Sequence, residues 1–491
     1  MKTKSLPRIL ILALVLAASA VVAVPAYASE LSDDLAARRA RVMDALGADG
    51  MLILWSAPTR TYSLDVSYEY RQDSNLYYLT GMTQADTILV LMPGNASRKE
   101  ILFVRDRDPF REHWNGRILG TDEASALSGI RTVLSIAQFD AFATAMLSKA
   151  PSGVVDEPES RAFASALTAG RARLAVLLDA SSTSSALGPG ADFARRARDR
   201  FAGFQVIDAT PILTELRLVK TAYEQKSLIK SLAVSSDAQM AGMRRAKPGV
   251  WEYQVEAAIE NVFMDRGSMG WSYPSIVGSG PNATILHYTE STRQMQPGDL
   301  LLVDAAANYE FMHGDITRTY PISGTFSGPQ RQVYSLVLDA QEDAIKVAAA
   351  RGSLLDTHRK ATDVLKAGLL KLGLITDTAG EQYRMWFTHG TCHYIGLDVH
   401  DVGDRSKPLV PGMAFTIEPG LYIRQSALDA LPRTPENLAL IAKIQPAVTK
   451  YLDIGVRIED SFLVEATGLR RLSAGVPRTV AEVEAFMAKR P

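Results

Sequence analysis

An unbroken aliphatic run, Leu300-Leu301-Leu302-Val303, ends on Asp304, and few architectures tolerate such a strand. The run reads as a buried strand whose last side chain is a carboxylate. A charge placed against an apolar core is costly unless it is paired or bound to a cation. A second carboxylate follows in Gly314-Asp315-Ile316-Thr317-Arg318-Thr319. Along a strand Asp315, Thr317 and Thr319 share one face, and Ile316 takes the other. A turn near Asn308 makes the two runs a hairpin that brings Asp304 and Asp315 to one spot. Adjacent carboxylates repel unless cations lie between them, and one carboxylate can bridge two cations.

The pattern recurs toward the C-terminus. Met413–Glu418 is an apolar run that carries Glu418 up to the stop at Pro419-Gly420. Ile454–Asp460 alternates, with Ile454, Val456 and Ile458 on one face and Gly455, Arg457 and Glu459 on the other. An arginine beside a glutamate on one strand face suits a metal ligand with a charged support. Between these runs, His389, His393 and His400 fall within twelve residues of a chain that has only seven histidines. His287 follows the Gly-rich segment Val277–Asn282. A strand-end aspartate is usually a turn or cap residue and a lone histidine usually a packed one, so the argument rests on the set. Four carboxylates and one imidazole in strand-end contexts supply enough donors for two hard or borderline cations, manganese first, then cobalt, iron or zinc. Two such ions about 4 Å apart hold a bridging hydroxide and polarise a carbonyl, which is the chemistry of amide hydrolysis.

The chain is 491 residues long, too many for one ordinary core, so two domains are expected. Residues 29–212 alternate strand-like runs (Met51–Trp55, Thr87–Leu91, Ile101–Val104) with helical ones, the pattern of an α/β domain, without a phosphate-cradling glycine loop. From 213 to 491 the reading is α+β. Helices are expected at Ala222–Arg245 and Glu252–Arg266, and two more, Pro329–Ala350 and His358–Leu372, separate the early carboxylate strands from the late ones as in a pseudo-repeat. A net charge of −1 excludes a global attraction to nucleic acid or an anionic membrane. The single cysteine, Cys392, excludes an intrachain disulfide and a thiolate zinc cluster. Residues 1–28 read as a signal peptide: Lys2, Lys4 and Arg8, then the uncharged Ile9–Val24, then Ala26-Tyr27-Ala28. That apolar run is short for a membrane span, so export to the periplasm or medium is expected, without a stable membrane anchor.

The segments Ile285–Tyr288, Val303–Ala305, Gly314–Thr319, His389–His393, Gly396–Gly403, Glu418–Tyr422 and Val456–Asp460, with Tyr70–Gly81 and Trp114–Gly120 before them, resemble aminopeptidase P, the Xaa-Pro aminopeptidase of the pita-bread metallopeptidases. The resemblance spans nearly the whole chain after residue 28. It implies a pita-bread catalytic domain preceded by an α/β N-terminal domain, acting on peptides with proline second. It implies that Asp304, Asp315, His393, Glu418 and Glu459 hold two metals. Glu418 would also take a proton from the attacking water. His287 and His400 would hold substrate and stabilise the tetrahedral intermediate, and His389 would line the proline side. Arg457 would support the metal carboxylates, and Tyr422 and Trp114 would belong to the specificity pocket. It further implies a homo-oligomer, a dimer or tetramer, in which the N-terminal domain caps a neighbour's site. The motifs alone leave open a prolidase restricted to Xaa-Pro dipeptides, and a non-catalytic peptide-binding pita-bread protein. Three departures from the family pattern stand out: the export signal, His313 before Gly314, and the long segment 425–452 between two ligands, which is expected to border the site entrance.

Overall fold

Period-two alternation organises the N-terminal half. In the computed structural model, which describes residues 26–149, 157–178 and 186–490, six strands form one sheet. They are β1 (Gly50–Trp55), β2 (Ile88–Leu91), β3 (Glu100–Val104), β4 (Thr132–Ser135), β5 (Ala172–Val176) and β6 (Phe204–Asp208), in the order β4-β3-β2-β1-β5-β6. β1 pairs antiparallel with β2 and parallel with β5. Met51 and Ile53 point to a face packed with Phe139, Phe142 and Phe163. Leu52 and Leu54 point to the opposite face, whose core runs on into the C-terminal half. Both faces are therefore covered, which is why these strands read as continuous apolar runs. The leader expected at 1–28 lies almost wholly outside the described residues, and a helix, Ala26–Leu46, begins within its last residues.

The C-terminal half places its strands in two small antiparallel sheets. β7 (Ile276–Ser279), β8 (Leu300–Asp304) and β9 (Thr317–Pro321) form the first, with β8 central and Asp304 opposite both Ile276 and Thr317. β10 (Ala414–Ile417) pairs with β13 (Asp460–Glu465), which pairs with β14 (Gly468–Arg471). A ribbon of β11 (Gly420–Tyr422) and β12 (Gly455–Arg457) sits beside them. Helices Ala222–Arg245 and Glu252–Asp265 accompany the first sheet, and Gly328–Ala349 and Leu354–Leu372 precede the second. The helix Ala222–Arg245 has the bounds the sequence indicated, because Thr221 and Glu224 form a capping box at its start. One fully buried ion pair, Arg318 Nη2 to Asp460 Oδ1 at 2.7 Å, locks β9 to β13.

The segment 425–452 corrects an expectation. It forms helices Gln425–Asp429 and Pro435–Tyr451 on the outside of the molecule, where Tyr451 donates to Gln332 on helix Gly328–Ala349. None of its residues lines the cavity described below. The chain leaves β11 and returns on β12 as adjacent antiparallel strands, so whatever lies between them projects away from the ligands.

Candidate metal centre

Where each carboxylate strand breaks, a glutamine from a long helix takes up the freed backbone carbonyls. Gln239 Nε2 donates to Ala305 O and Ile316 O at 3.1 and 2.8 Å, just past Asp304 and Asp315. Gln341 Nε2 donates to Ile417 O and Ile458 O at 2.9 and 3.1 Å, just before Glu418 and Glu459. Buried carbonyls need partners, and this paired solution satisfies them where the backbone beside the four acids leaves strand pairing. It also gives the pseudo-repeat a physical basis in the helices, one glutamine per half.

The four acids and His393 meet in one cavity of about 820 Å³, which His287, His389, His400 and Arg457 also line. His393 Nε2 lies 3.3 Å from Asp315 Oδ2, 3.5 Å from Glu418 Oε1 and 4.0 Å from Glu459 Oε1. The other ring nitrogen, Nδ1, is 3.1 Å from Tyr394 O. A proton on Nδ1 satisfies that carbonyl and leaves the Nε2 lone pair facing the carboxylates, the form in which imidazole binds metal. Arg457 joins Asp304 Oδ2 at 2.6 Å and donates from Nε to Thr317 Oγ1, which itself donates to Glu459 Oε2. Glu459 Oε1 is buried without a hydrogen-bond partner.

Electrostatics shows what this arrangement lacks. Burial, then the charges of Asp304 and Glu418, hold Asp315 well above the usual carboxylate range. Burial, then Asp315, does the same to Glu459. Burial and Glu459 push Glu418 up to about 8. Arg457 offsets only part of this charge, and protons or metal cations can neutralise the rest. Asp315, His393 and Glu459 offer donor atoms all within 4.8 Å of one another. The orphaned Glu459 oxygen, the free His393 Nε2 and the oxygen-rich donor set fit divalent metal ions.

The chain matches the pattern of metallopeptidase family M24 over residues 226–466 and that of the aminopeptidase P N-terminal domain over 35–155. It is 33% identical to the Xaa-Pro aminopeptidase of Haemophilus influenzae over 472 residues, covering 94% of this chain and 99% of that one. The chain belongs to the aminopeptidase P family of M24 metallopeptidases. The Escherichia coli Xaa-Pro aminopeptidase is likewise 33% identical, over 94% of this chain and 98% of its own. The solved structure of Pseudomonas aeruginosa aminopeptidase PepP superposes with a TM-score of 0.77 at 33% identity, covering 93% and 98% of the two chains. Escherichia coli aminopeptidase P with the inhibitor Pro-Leu gives a TM-score of 0.77 at 30% identity, with the same coverage. The fold is therefore α+β, with the pita-bread catalytic half expected from the motifs, and divalent metal ions belong to the family.

Two residues fall elsewhere than expected. Tyr422 does not line the cavity. It lies behind His389, where its hydroxyl accepts from Arg457 Nη1 at 2.9 Å and sits 2.8 Å from His389 Nε2. Since Arg457 only donates, the Tyr422 hydroxyl proton goes to His389 Nε2, and His389 Nδ1 gives its own to Gly390 O at 2.8 Å. Burial, then Arg457, lowers His389 to about 3, so it stays neutral. With both nitrogens engaged, His389 is a fixed wall of the cavity. Trp114 is 72% exposed on helix Pro109–Asn115 and does not reach the cavity of its own chain. Cys392, by contrast, is buried in the cavity wall, as a lone thiol should be.

Sequence reasoning missed Tyr273. Its hydroxyl lies 2.5 Å from Asp304 Oδ1 and 2.6 Å from Asp315 Oδ1. Burial, then Asp304, raises its pKa well above the ordinary value, so it remains a neutral donor. The available clue was register. A strand pairing antiparallel with β8 must have its preceding residues beside Asp304, and Tyr273 sits three residues before Ile276. Tyr273→Phe is expected to weaken metal binding by roughly 10–100-fold, the usual cost of losing an outer partner of a ligand. Equilibrium dialysis against the metal measures this, and an unchanged affinity would show that the hydroxyl does not orient the two aspartates.

Proposed function

We propose that this protein is a two-metal Xaa-Pro aminopeptidase that releases one N-terminal residue from peptides whose second residue is proline. The observation that carries the reading is the convergence of Asp304, Asp315, His393, Glu418 and Glu459 in one cavity, in a chain 33% identical to Xaa-Pro aminopeptidases over nearly its full length. The oxygen-rich donor set favours Mn²⁺ over Co²⁺, Fe²⁺ or Zn²⁺. Bound divalent ions supply an activated water and polarise the scissile carbonyl.

The side chains divide the remaining work. Glu418, which directly follows β10, takes the proton of the attacking water. His400 is lowered to about 4 by burial, then by His393 and His287, so it is a neutral N–H donor at working pH. Neither ring nitrogen of His400 or His287 is engaged by the protein among the described residues, which leaves both free to donate to substrate oxygen as charge develops. His389 forms the wall against which a proline ring packs, and Tyr422 fixes its ring. Arg457 holds Asp304 in place. The exposed Trp114 and Phe110 on helix Pro109–Asn115 are available to reach a neighbouring copy, which supports a homo-oligomer. The leader-like first 28 residues support export.

The test is a peptide panel with the purified protein and Mn²⁺. Release of the first residue is expected from Xaa-Pro-Xaa tripeptides, weakly or not at all from Xaa-Pro dipeptides, and not from Xaa-Ala-Xaa. Cleavage of dipeptides alone would make the protein a prolidase. Absence of turnover together with absence of bound metal would make it a peptide-binding relative.

A further inference from the structure

His400 stands in the cavity without a hydrogen bond to either ring nitrogen among the described residues, its nearest ring being His393 at 4.3 Å between centroids. Something else must fix its position. It belongs to the segment 396–403, which has no helix and no strand beyond an isolated bridge between Tyr394 and Asp401. Such a loop holds one geometry only if its backbone and its flanking side chains are tied down.

The ties come from outside the catalytic sheets and fall on both sides of His400. Arg217, only 3% exposed, donates from Nη2 to Asp398 Oδ2 at 2.7 Å and to Asp401 Oδ1 at 2.6 Å. Its Nη1 donates to Asn75 Oδ1 at 2.8 Å, in the N-terminal half. Lys220 takes the other oxygen of Asp401 at 3.0 Å. Arg71, also from the N-terminal half, donates to Leu397 O and Asp398 Oδ1, each at 2.9 Å. Its Nη1 lies 3.2 Å from His313 Nε2, and the His313 backbone N–H donates to Gly396 O at 2.8 Å. None of these cations touches a metal ligand, whereas Asp401, which Arg217 and Lys220 hold, lines the same cavity as His400.

We propose that Arg217 and Arg71 are positioning residues for His400, and that through them the N-terminal half sets the oxyanion-side geometry of the active site. His313 belongs to this clamp rather than to the metal centre. A fixed donor aimed at developing charge is worth most when it needs no reorganisation, and a displacement of about 1 Å can cost on the order of 100-fold in rate. Arg217 holds both carboxylates that bracket His400 from Nη2 while Nη1 reaches Asn75, a fork that the single nitrogen of a lysine does not span. This inference rests on the aminopeptidase reading for its kinetic consequence but not for its structural one.

The experiment is a double-mutant cycle on a Xaa-Pro-Xaa peptide, using the metal-loaded full chain. Arg217→Gln is expected to lower kcat roughly 10-fold or more with KM and bound metal unchanged, and Arg217→Lys to restore only part. In a His400→Ala background the same change is expected to cost less than about two-fold, because the group it positions is gone. Equal losses in both backgrounds would overturn the proposal, since a general structural defect acts whether or not His400 is present. Arg71→Gln, at a half-exposed position, carries the same expectation should Arg217→Gln fold poorly. A second measurement does not depend on turnover: ring-labelled histidine NMR on a chain with seven histidines. Arg71→Gln should shift or broaden the His400 signal and leave that of His358 unchanged; an unmoved His400 signal refutes the clamp. Failure of the peptide panel with a moved His400 signal would refute the aminopeptidase reading and leave the clamp standing.

Discussion

Glu418→Gln is expected to lower turnover of a Xaa-Pro peptide by about 10²–10⁴-fold, the range a positioned proton acceptor contributes, with the fold intact. The backbone at this position is held independently of the side chain, since Glu418 N donates to Thr391 O at 2.8 Å and Ile417 is paired to Asp460. Glutamine keeps the shape and loses the basic oxygen. It also removes one charge from a crowded group: Glu418 Oε1 is 3.5 Å from His393 Nε2, and Glu459 lies close enough to raise its pKa. The metal-free variant should therefore be at least as stable as the parent. Assays at saturating metal, with bound metal measured beside them, separate lost basicity from lost affinity. Turnover retained at saturating metal would remove Glu418 from its assigned role.

The strand ends that hold Glu418 and its partner acids were legible in the sequence. An aliphatic run ending on Asp304, and the alternation that puts Arg457 and Glu459 on one face, are local patterns, and local patterns survive folding when the strand is buried. The helix Ala222–Arg245 was legible for the same reason, with its capping box at one end and Lys247-Pro248-Gly249 beyond the other. What the sequence hid depends on pairing at long range. Arg71 and Asp398 are 327 positions apart, and nothing near either residue announces the other. Tyr273 becomes visible only once β7 is known to run beside β8. The resemblance implied a pocket place for Tyr422, yet the β11–β12 ribbon turns its ring behind His389. The segment 425–452 misled in the opposite sense: closeness in sequence to two ligands did not translate into closeness in space, because a hairpin exit carries an insertion outward.

Removing the metals should reverse the pH dependence of stability. In the metal-free protein Glu418 is raised from 4.5 to about 8, so the folded state binds a proton that the unfolded state releases. Stability from this group is fully present below about pH 4.5 and is lost as pH rises toward 8, with a loss on the order of 4 kcal/mol at the upper end. Asp315 and Glu459, also raised, act in the same direction. Metal binding requires the deprotonated ligands, so in the loaded protein a rising pH strengthens binding and with it the fold. Buried His313 and His389, lowered to about 4 and about 3, push the other way, since they bind fewer protons when folded and favour folding at higher pH. They are present in both forms, so the difference between melting curves with Mn²⁺ and with chelator cancels most of their effect. That difference should widen steadily from pH 5 to pH 8. Parallel curves across this range would mean that the carboxylate cluster is not held together by its cations, and the two-metal assignment would fall with it.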